Sequence, residues 1–149
     1  MKIKSMFILT ILLIIVTIPI ACNNGGSDKG NNSEILNANN PGERLDITKY
    51  LVKDKINIVD FYSEFCPPCR KISPLLSKLD KKRDDIVVIK IDINRKGIKG
   101  IDWRSPLAKQ YELRSIPHFK IYDGKGNKLS EDIVARQKIA VYFNEEGIK

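Results

Sequence analysis

Val59-Asp60-Phe61-Tyr62-Ser63-Glu64-Phe65-Cys66-Pro67-Pro68-Cys69-Arg70-Lys71-Ile72-Ser73-Pro74 is the stretch on which the reading of this chain turns. It continues a run of β-formers, Ile56 to Tyr62, that predicts a buried central strand. Downstream, Ile72, Leu75, Leu76 and Leu79 fall at helical spacing and predict a helix to about Lys82, kinked at Pro74. Cys66 and Cys69 therefore stand where a strand hands over to a helix. Free N–H groups and the helix dipole at such an N-terminus favour a thiolate. A second thiol one turn further in is placed to resolve a mixed disulfide. Cys66 is thus the expected nucleophile and Cys69 the resolving thiol. Asp60, set inside the apolar strand, should have its pKa raised by desolvation. It would then exchange a proton with Cys69 when that thiol must ionise. The plainer reading of Asp60 is a strand-end carboxylate facing solvent or capping a turn.

Outward from this stretch the elements alternate. Leu45 to Lys53 suits a short helix, and Ile86 to Ile93 is a second β run of Val and Ile. Ser105-Pro106 reads as an N-cap followed by a first-turn proline, opening a helix from Leu107 to about Glu112. His118 to Tyr122 reads as a strand, Asp123-Gly124-Lys125-Gly126-Asn127 as a hairpin turn, and Lys128 to about Ile133 as its return strand. Arg136 to Asn144 closes the chain as a helix, and there are no internal repeats. Strand, helix, strand, helix, hairpin and helix make an α/β domain with a mixed sheet.

The quoted stretch resembles thioredoxin. Asp60 matches that family's buried strand aspartate, Phe65 its aromatic before the first cysteine, Arg70 its basic residue after the second, and Pro74 its helix-kinking proline. Tyr111-Glu112-Leu113-Arg114-Ser115-Ile116-Pro117 is similar to the segment that carries the family's cis-proline. The resemblance runs from about Leu45 to the C-terminus and weakens after Leu129. It implies a thioredoxin-like fold, a central mixed β-sheet flanked by helices, with a redox disulfide between Cys66 and Cys69. It also implies that Pro117 is cis and packs against that pair. The backbone of Ile116 would then be offered to an incoming peptide as an added strand.

Several positions depart from the family. Phe65 stands where Trp is usual, which removes an indole donor. Pro67-Pro68 replaces Gly-Pro, and neither proline can donate an N–H to the Cys66 sulfur. Fewer donors favour the disulfide and a more reducing couple, while the stiffness that two prolines give the turn works in the opposite direction. His118 replaces the usual Thr after the cis-proline. A titratable ring there would raise thiolate content if it lies beside the sulfurs, and the alternative is a strand histidine pointing away. Phe65, Pro67, Ile116 and His118 are the candidate substrate-binding residues. Residues 94–104 lengthen the connection before the short helix and contain the only Trp, Trp103. That Trp is expected to cover the core, with recognition of a partner as the other reading.

The N-terminus reads as an address. Lys2 and Lys4 precede an apolar run from Met6 to Ile20, about 15 residues and shorter than a bilayer span. Ile18-Pro19-Ile20-Ala21-Cys22 resembles a bacterial lipobox, with Pro19 off the pattern. The resemblance implies cleavage before Cys22 and lipidation of its thiol, an anchor of several acyl chains. A non-lipidated secreted protein or an uncleaved anchor are the other readings. The Asn/Gly/Ser-rich stretch that follows has little to bury and reads as a flexible tether. The expected organisation is a signal peptide at 1–21, lipidated Cys22 and disordered tether at 22–42, and a thioredoxin-like domain at 43–149.

Composition narrows the function. Hydrophobic residues make up 42% of 149, enough for a core, and three cysteines are too few for a disulfide scaffold. The formal charge of +8 suits acidic partners or anionic surfaces. Aromatic and basic residues are not interleaved, so no nucleic-acid partner is expected. The reading is a membrane-tethered, extracytoplasmic thiol–disulfide oxidoreductase, a monomer in a bacterial periplasm or cell envelope. It would reduce disulfides of cysteine-containing exported proteins and be re-reduced by a membrane electron donor. No organic cofactor or metal is called for. The alternatives are a disulfide-forming oxidant, a redox-silent peptide-binding adaptor, and a carrier of a soft metal on two thiolates.

Overall fold

Ile56–Tyr62 forms β1, and everything else in the domain is arranged around it. The computed structural model describes residues 34–149. The expected signal peptide at 1–21, the lipidation site Cys22 and the tether up to residue 33 lie outside the described residues.

β1 pairs in parallel with β2, Ile86–Asp92, from Ile56 opposite Ile86 to Tyr62 opposite Asp92. On its other side it pairs antiparallel with β3, His118–Tyr122, which pairs antiparallel with β4, Lys128–Glu131. The sheet order is β2-β1-β3-β4. The parallel pair needs a crossover, and α1, Pro67–Lys82, supplies it. α2, Pro106–Gln110, leads into β3, and α3, Asp132–Glu145, follows β4 directly.

Strand periodicity divides the core into two layers. Ile58, Val88, Phe119 and Ile121 face Leu76 and Leu79 of α1 and Ala135 and Ile139 of α3. Val59, Phe61, Ile89, Ile91 and Tyr122 face Ile47 and Leu107 on the opposite side. Ser105 caps α2 by accepting from the Ala108 N–H at 3.0 Å, with Pro106 at the first helical position. No helix among the described residues is long and apolar enough to cross a membrane.

Three boundaries differ from the sequence expectation. The helix expected at Leu45 to Lys53 is only a 3-10 turn, Ile47–Tyr50, capped by Asp46. β4 ends at Glu131 rather than near Ile133. Asp132 turns the chain with φ +49, and α3 begins there, four residues before Arg136. Ile133 is 65% exposed, so its β-branching is not the mark of a buried strand. Finally, the folded part does not begin at 43. Ile35 bridges Lys90 in parallel, and the Leu36 N–H donates to the Lys90 carbonyl at 2.8 Å. The Asn37 side chain donates to the Asp92 carbonyl at 2.8 Å and accepts from its N–H at 2.9 Å. Residues 34–42, expected to be tether, thus dock on the free edge of β2.

Candidate redox site

β1 and β2 run in parallel, so both leave the sheet at the same end, where β3 begins. Four residues after Tyr62 the chain reaches Cys66, whose extended backbone (φ −102°, ψ 104°) makes it the N-cap of α1. Pro67 and Pro68 occupy the first helical positions, where a backbone N–H would lack an intrahelical acceptor in any case. The next free donor is the Cys69 N–H, which points at the Cys66 sulfur over 3.2 Å. Cys66 and Cys69 form a disulfide with Cα atoms 5.3 Å apart. Cys69 is fully buried and Cys66 is 2% exposed, beside a rim of exposed Phe65, Pro67 and Pro68.

The opposite wall is the loop entering β3. The Ile116–Pro117 peptide bond is cis. The Ile116 carbonyl oxygen lies 3.6 Å from the Cys66 sulfur. Arg136 reaches from α3 to donate to the Pro117 carbonyl at 2.9 Å, so the loop is also held from behind. Nothing in the sequence around Arg136 signals this contact, which joins positions 19 residues apart.

Asp60 is completely buried and lies on the α1-facing side of β1, since alternation places it with Ile58. Neither carboxyl oxygen has a hydrogen-bond partner among the described residues. Burial pushes its pKa up to about 7, against the opposing pull of the Lys90 charge. Lys90 is the register partner of Asp60 on β2, and its ammonium lies over the Tyr62 ring, 3.6 Å from the centroid. Burial lowers the Lys90 pKa in turn, with Asp60 and Asp92 working the other way. A solvent-facing or turn-capping Asp60 is therefore not what the fold contains.

His118 is turned elsewhere. It lies on the sheet face opposite Asp60, with its ring edge-on to Phe61 at 5.8 Å. Nε2 is 3.1 Å from the Glu131 carboxylate and Nδ1 is 3.9 Å from that of Asp132. Among the described residues the ring's partners are Phe61, Glu131 and Asp132, in keeping with the second of the two readings, a strand histidine pointing away from the sulfurs. Glu131 also takes Lys120 and Lys128, each at 2.6 Å. Burial alone would raise the Glu131 pKa, but donors from Lys120, Lys128 and His118 hold it at about 2.

Trp103, expected to cover the core, is 40% exposed and so leaves part of its surface open to solvent. Among the described residues, no group of three or more His, Cys, Asp or Glu side chains is placed to hold a metal ion.

The thioredoxin family model matches residues 44–144. Thioredoxin F2 of Arabidopsis thaliana chloroplasts is 36% identical over 80 residues, 54% of this chain and 38% of that protein. Thioredoxin H3 of the same plant is 30% identical over 95 residues, 64% of this chain and 72% of that protein. The crystal structure of Chlamydomonas reinhardtii thioredoxin f2 superposes with a TM-score of 0.50 at 27% identity, over 72% of this chain and 97% of the other. The chain thus spans about four-tenths of the length of its F-type Arabidopsis relative.

Proposed function

The chain belongs to the thioredoxin family, and on that premise we propose that it is a thiol–disulfide oxidoreductase that reduces disulfides of exported proteins. The observation that carries this reading is the Cys66 sulfur at the N-cap of α1, with the Cys69 N–H aimed at it and its mate one turn below.

In the reduced state the Cys66 thiolate attacks one sulfur of a substrate disulfide. A Cys66–substrate bond forms and the other substrate sulfur leaves as a thiolate, which takes a proton. Ionised Asp60 accepts the Cys69 proton, directly or through water. The Cys69 thiolate then attacks the Cys66 sulfur and releases the second substrate thiol. Two electrons have passed to the substrate, and the protein is left with the Cys66–Cys69 disulfide. The exposed Phe65 and Pro67 and the Ile116 backbone border the route by which the substrate chain enters.

Donor count supports this direction of flow. Pro67 and Pro68 offer no N–H, so the Cys69 amide is the helix-terminal donor that faces the Cys66 sulfur. A sparsely stabilised thiolate favours the disulfide form, hence a reductant. A two-electron thiol donor at the membrane would have to regenerate it. The place of work is read from the charged, short apolar N-terminus and from Ile18 to Cys22: export, cleavage before Cys22 and a lipid anchor in the cell envelope.

Trapping tests this. Cys69→Ala, expressed with its own N-terminus, should accumulate mixed disulfides on Cys66 with exported proteins, and Cys66→Ser should abolish disulfide reduction. Absence of trapped partners together with absence of insulin reduction would overturn the enzyme reading. A reduction potential at the oxidising end, about −120 mV, would reverse the direction to a disulfide-forming oxidant.

A further inference from the structure

We propose that residues 94–104 form the specificity surface of this redox site, docking substrate proteins that are acidic and carry an apolar side chain next to the disulfide to be reduced. The proposal rests on the oxidoreductase reading above and adds the substrate class.

The loop is built to hold its shape. The Asp102 carboxylate is buried and accepts from Arg95 Nε at 2.7 Å, Arg95 Nη2 at 3.2 Å and the Arg104 N–H at 3.2 Å. The Asn94 side chain donates to the Gly100 carbonyl and accepts from the Asp102 N–H. Gly97 and Gly100 take the positive φ values, +80° and +84°, that let the chain fold back on itself. This fixed frame leaves part of two large apolar side chains open to solvent. It leaves Ile98 41% exposed and Trp103 40% exposed. A lone exposed apolar residue is ordinary. Two on one rigid loop, one of them the only Trp, is the composition of an interface anchor, where aromatic and arginine side chains are enriched.

Charge selects the partner. Lys96, Lys99 and Arg104 are exposed and have no ion-pair partner within 4.0 Å among the described residues. Between residues 93 and 109 the only carboxylate is Asp102, already taken by Arg95. The surface thus carries three cations unpaired among the described residues around two apolar side chains, the complement of an acidic segment with an apolar anchor.

Position ties the loop to the sulfurs. Tyr62 and Asp92 are register partners at the ends of β1 and β2, and the Ile93 N–H donates to the Tyr62 carbonyl at 3.0 Å. From this shared end one chain runs to Cys66 and the other enters the loop, so their roots are a strand spacing apart, about 4.8 Å. A protein docked on the loop could hold its disulfide over Cys66. An anionic lipid surface docked there would cover Cys66 instead, which is why a protein is the occupant inferred.

The test uses two cystine peptides identical at the disulfide, one flanked by Glu and Phe and the other by Lys and Phe. Turnover is driven by dithiothreitol, and a small neutral disulfide serves as reference. Wild type should favour the acidic peptide by about tenfold in kcat/KM, and the preference should collapse toward unity in about 0.5 M salt. K96E/K99E/R104E should abolish or invert it. Trp103→Ala should raise KM for both peptides several-fold. Both variants should leave turnover of the small disulfide unchanged. A preference that survives the triple substitution overturns the proposal. So does a wild type that binds vesicles of about 30% anionic lipid and shows no peptide preference. Failure of wild type to turn over even the small disulfide would strike the redox reading itself, and the loop proposal with it.

Discussion

Replacing Asp60 with Asn separates the charge of the buried carboxyl from its shape. The folded state holds this group fully buried with no hydrogen-bond partner among the described residues, and its pKa stands at about 7 rather than 3.8. Between those two pH values the folded chain keeps a proton that the unfolded chain has released. The unfolded state then binds fewer protons, so stability must fall as pH rises through the window. An offset of about 3 units at about 1.36 kcal/mol each comes to roughly 4 kcal/mol, present at pH 4 and lost above pH 7. An amide does not titrate there, so the variant lacks this loss. Urea unfolding of the oxidised protein from pH 4 to pH 8.5 should show wild type declining by that order while Asp60→Asn stays nearly flat. The two curves should draw apart mainly between pH 4 and pH 7. The same variant, assayed with a protein disulfide at pH 7, should turn over slower by on the order of tenfold to a hundredfold, because the base for Cys69 is gone. Parallel stability curves for the two proteins would refute the reasoning, since the buried charge would then be costing nothing.

Lys90→Met removes the cation that opposes the rise in the Asp60 pKa, so the midpoint of the stability decline should move to higher pH; an unmoved midpoint would mean that the two groups do not sense each other. Glu131→Gln acts at the other end of the scale. Its carboxylate, held at about 2 against an ordinary 4.5, contributes stability that is present above pH 4.5 and lost as pH falls toward 2. With a side chain 30% exposed, screening limits the gain to about 1–2 kcal/mol, and thermal melts from pH 2 to 6 should show a shallower acid-side loss in the variant. Gly42→Ala should destabilise by on the order of 2 kcal/mol in urea titrations. Gly42 has φ +74, and a methyl group there would meet the Arg95 amide at 2.6 Å. An unchanged midpoint would mean that residues 34–42 are not docked as described.

The elements that were legible in the sequence are those whose side chains carry both the pattern and the packing. β1 was expected and found at Ile56 to Tyr62, and α1 ends at Lys82 as its Leu spacing implies. The start of α3 was hidden because Ile133 and Val134 look like strand while both are exposed on a helix. The cause is backbone geometry at Asp132 and the hold of Glu131 on Lys120 and Lys128, neither of which shows as periodicity. Composition misled at 34–42 for a related reason. Asn37 looks like linker, but its amide mimics a peptide group and pairs with Asp92 as a strand would. Among the candidate site residues, Cys66, Cys69, Asp60 and Pro117 lie in two short segments that resemble the family's, and the structure shows the Cys66–Cys69 disulfide, a buried Asp60 and a cis bond before Pro117. The partners of His118 come from the far side of a hairpin, and Arg136 from a helix beyond it, so no spacing rule reaches them.

The docking of Ile35 and Asn37 along β2 has a consequence for handling the protein. A bare outer strand as regular as Ile86 to Asp92 is a rail of open amides and carbonyls onto which a second molecule can zip, seeding aggregates. The short N-terminal segment occupies the Lys90 to Asp92 end of that rail, and the Asp80 carboxylate takes the Val88 N–H further along it. Shortened forms that start after Gly42 would bare it, and they should become sticky and concentration-sensitive while their cysteine chemistry is untouched.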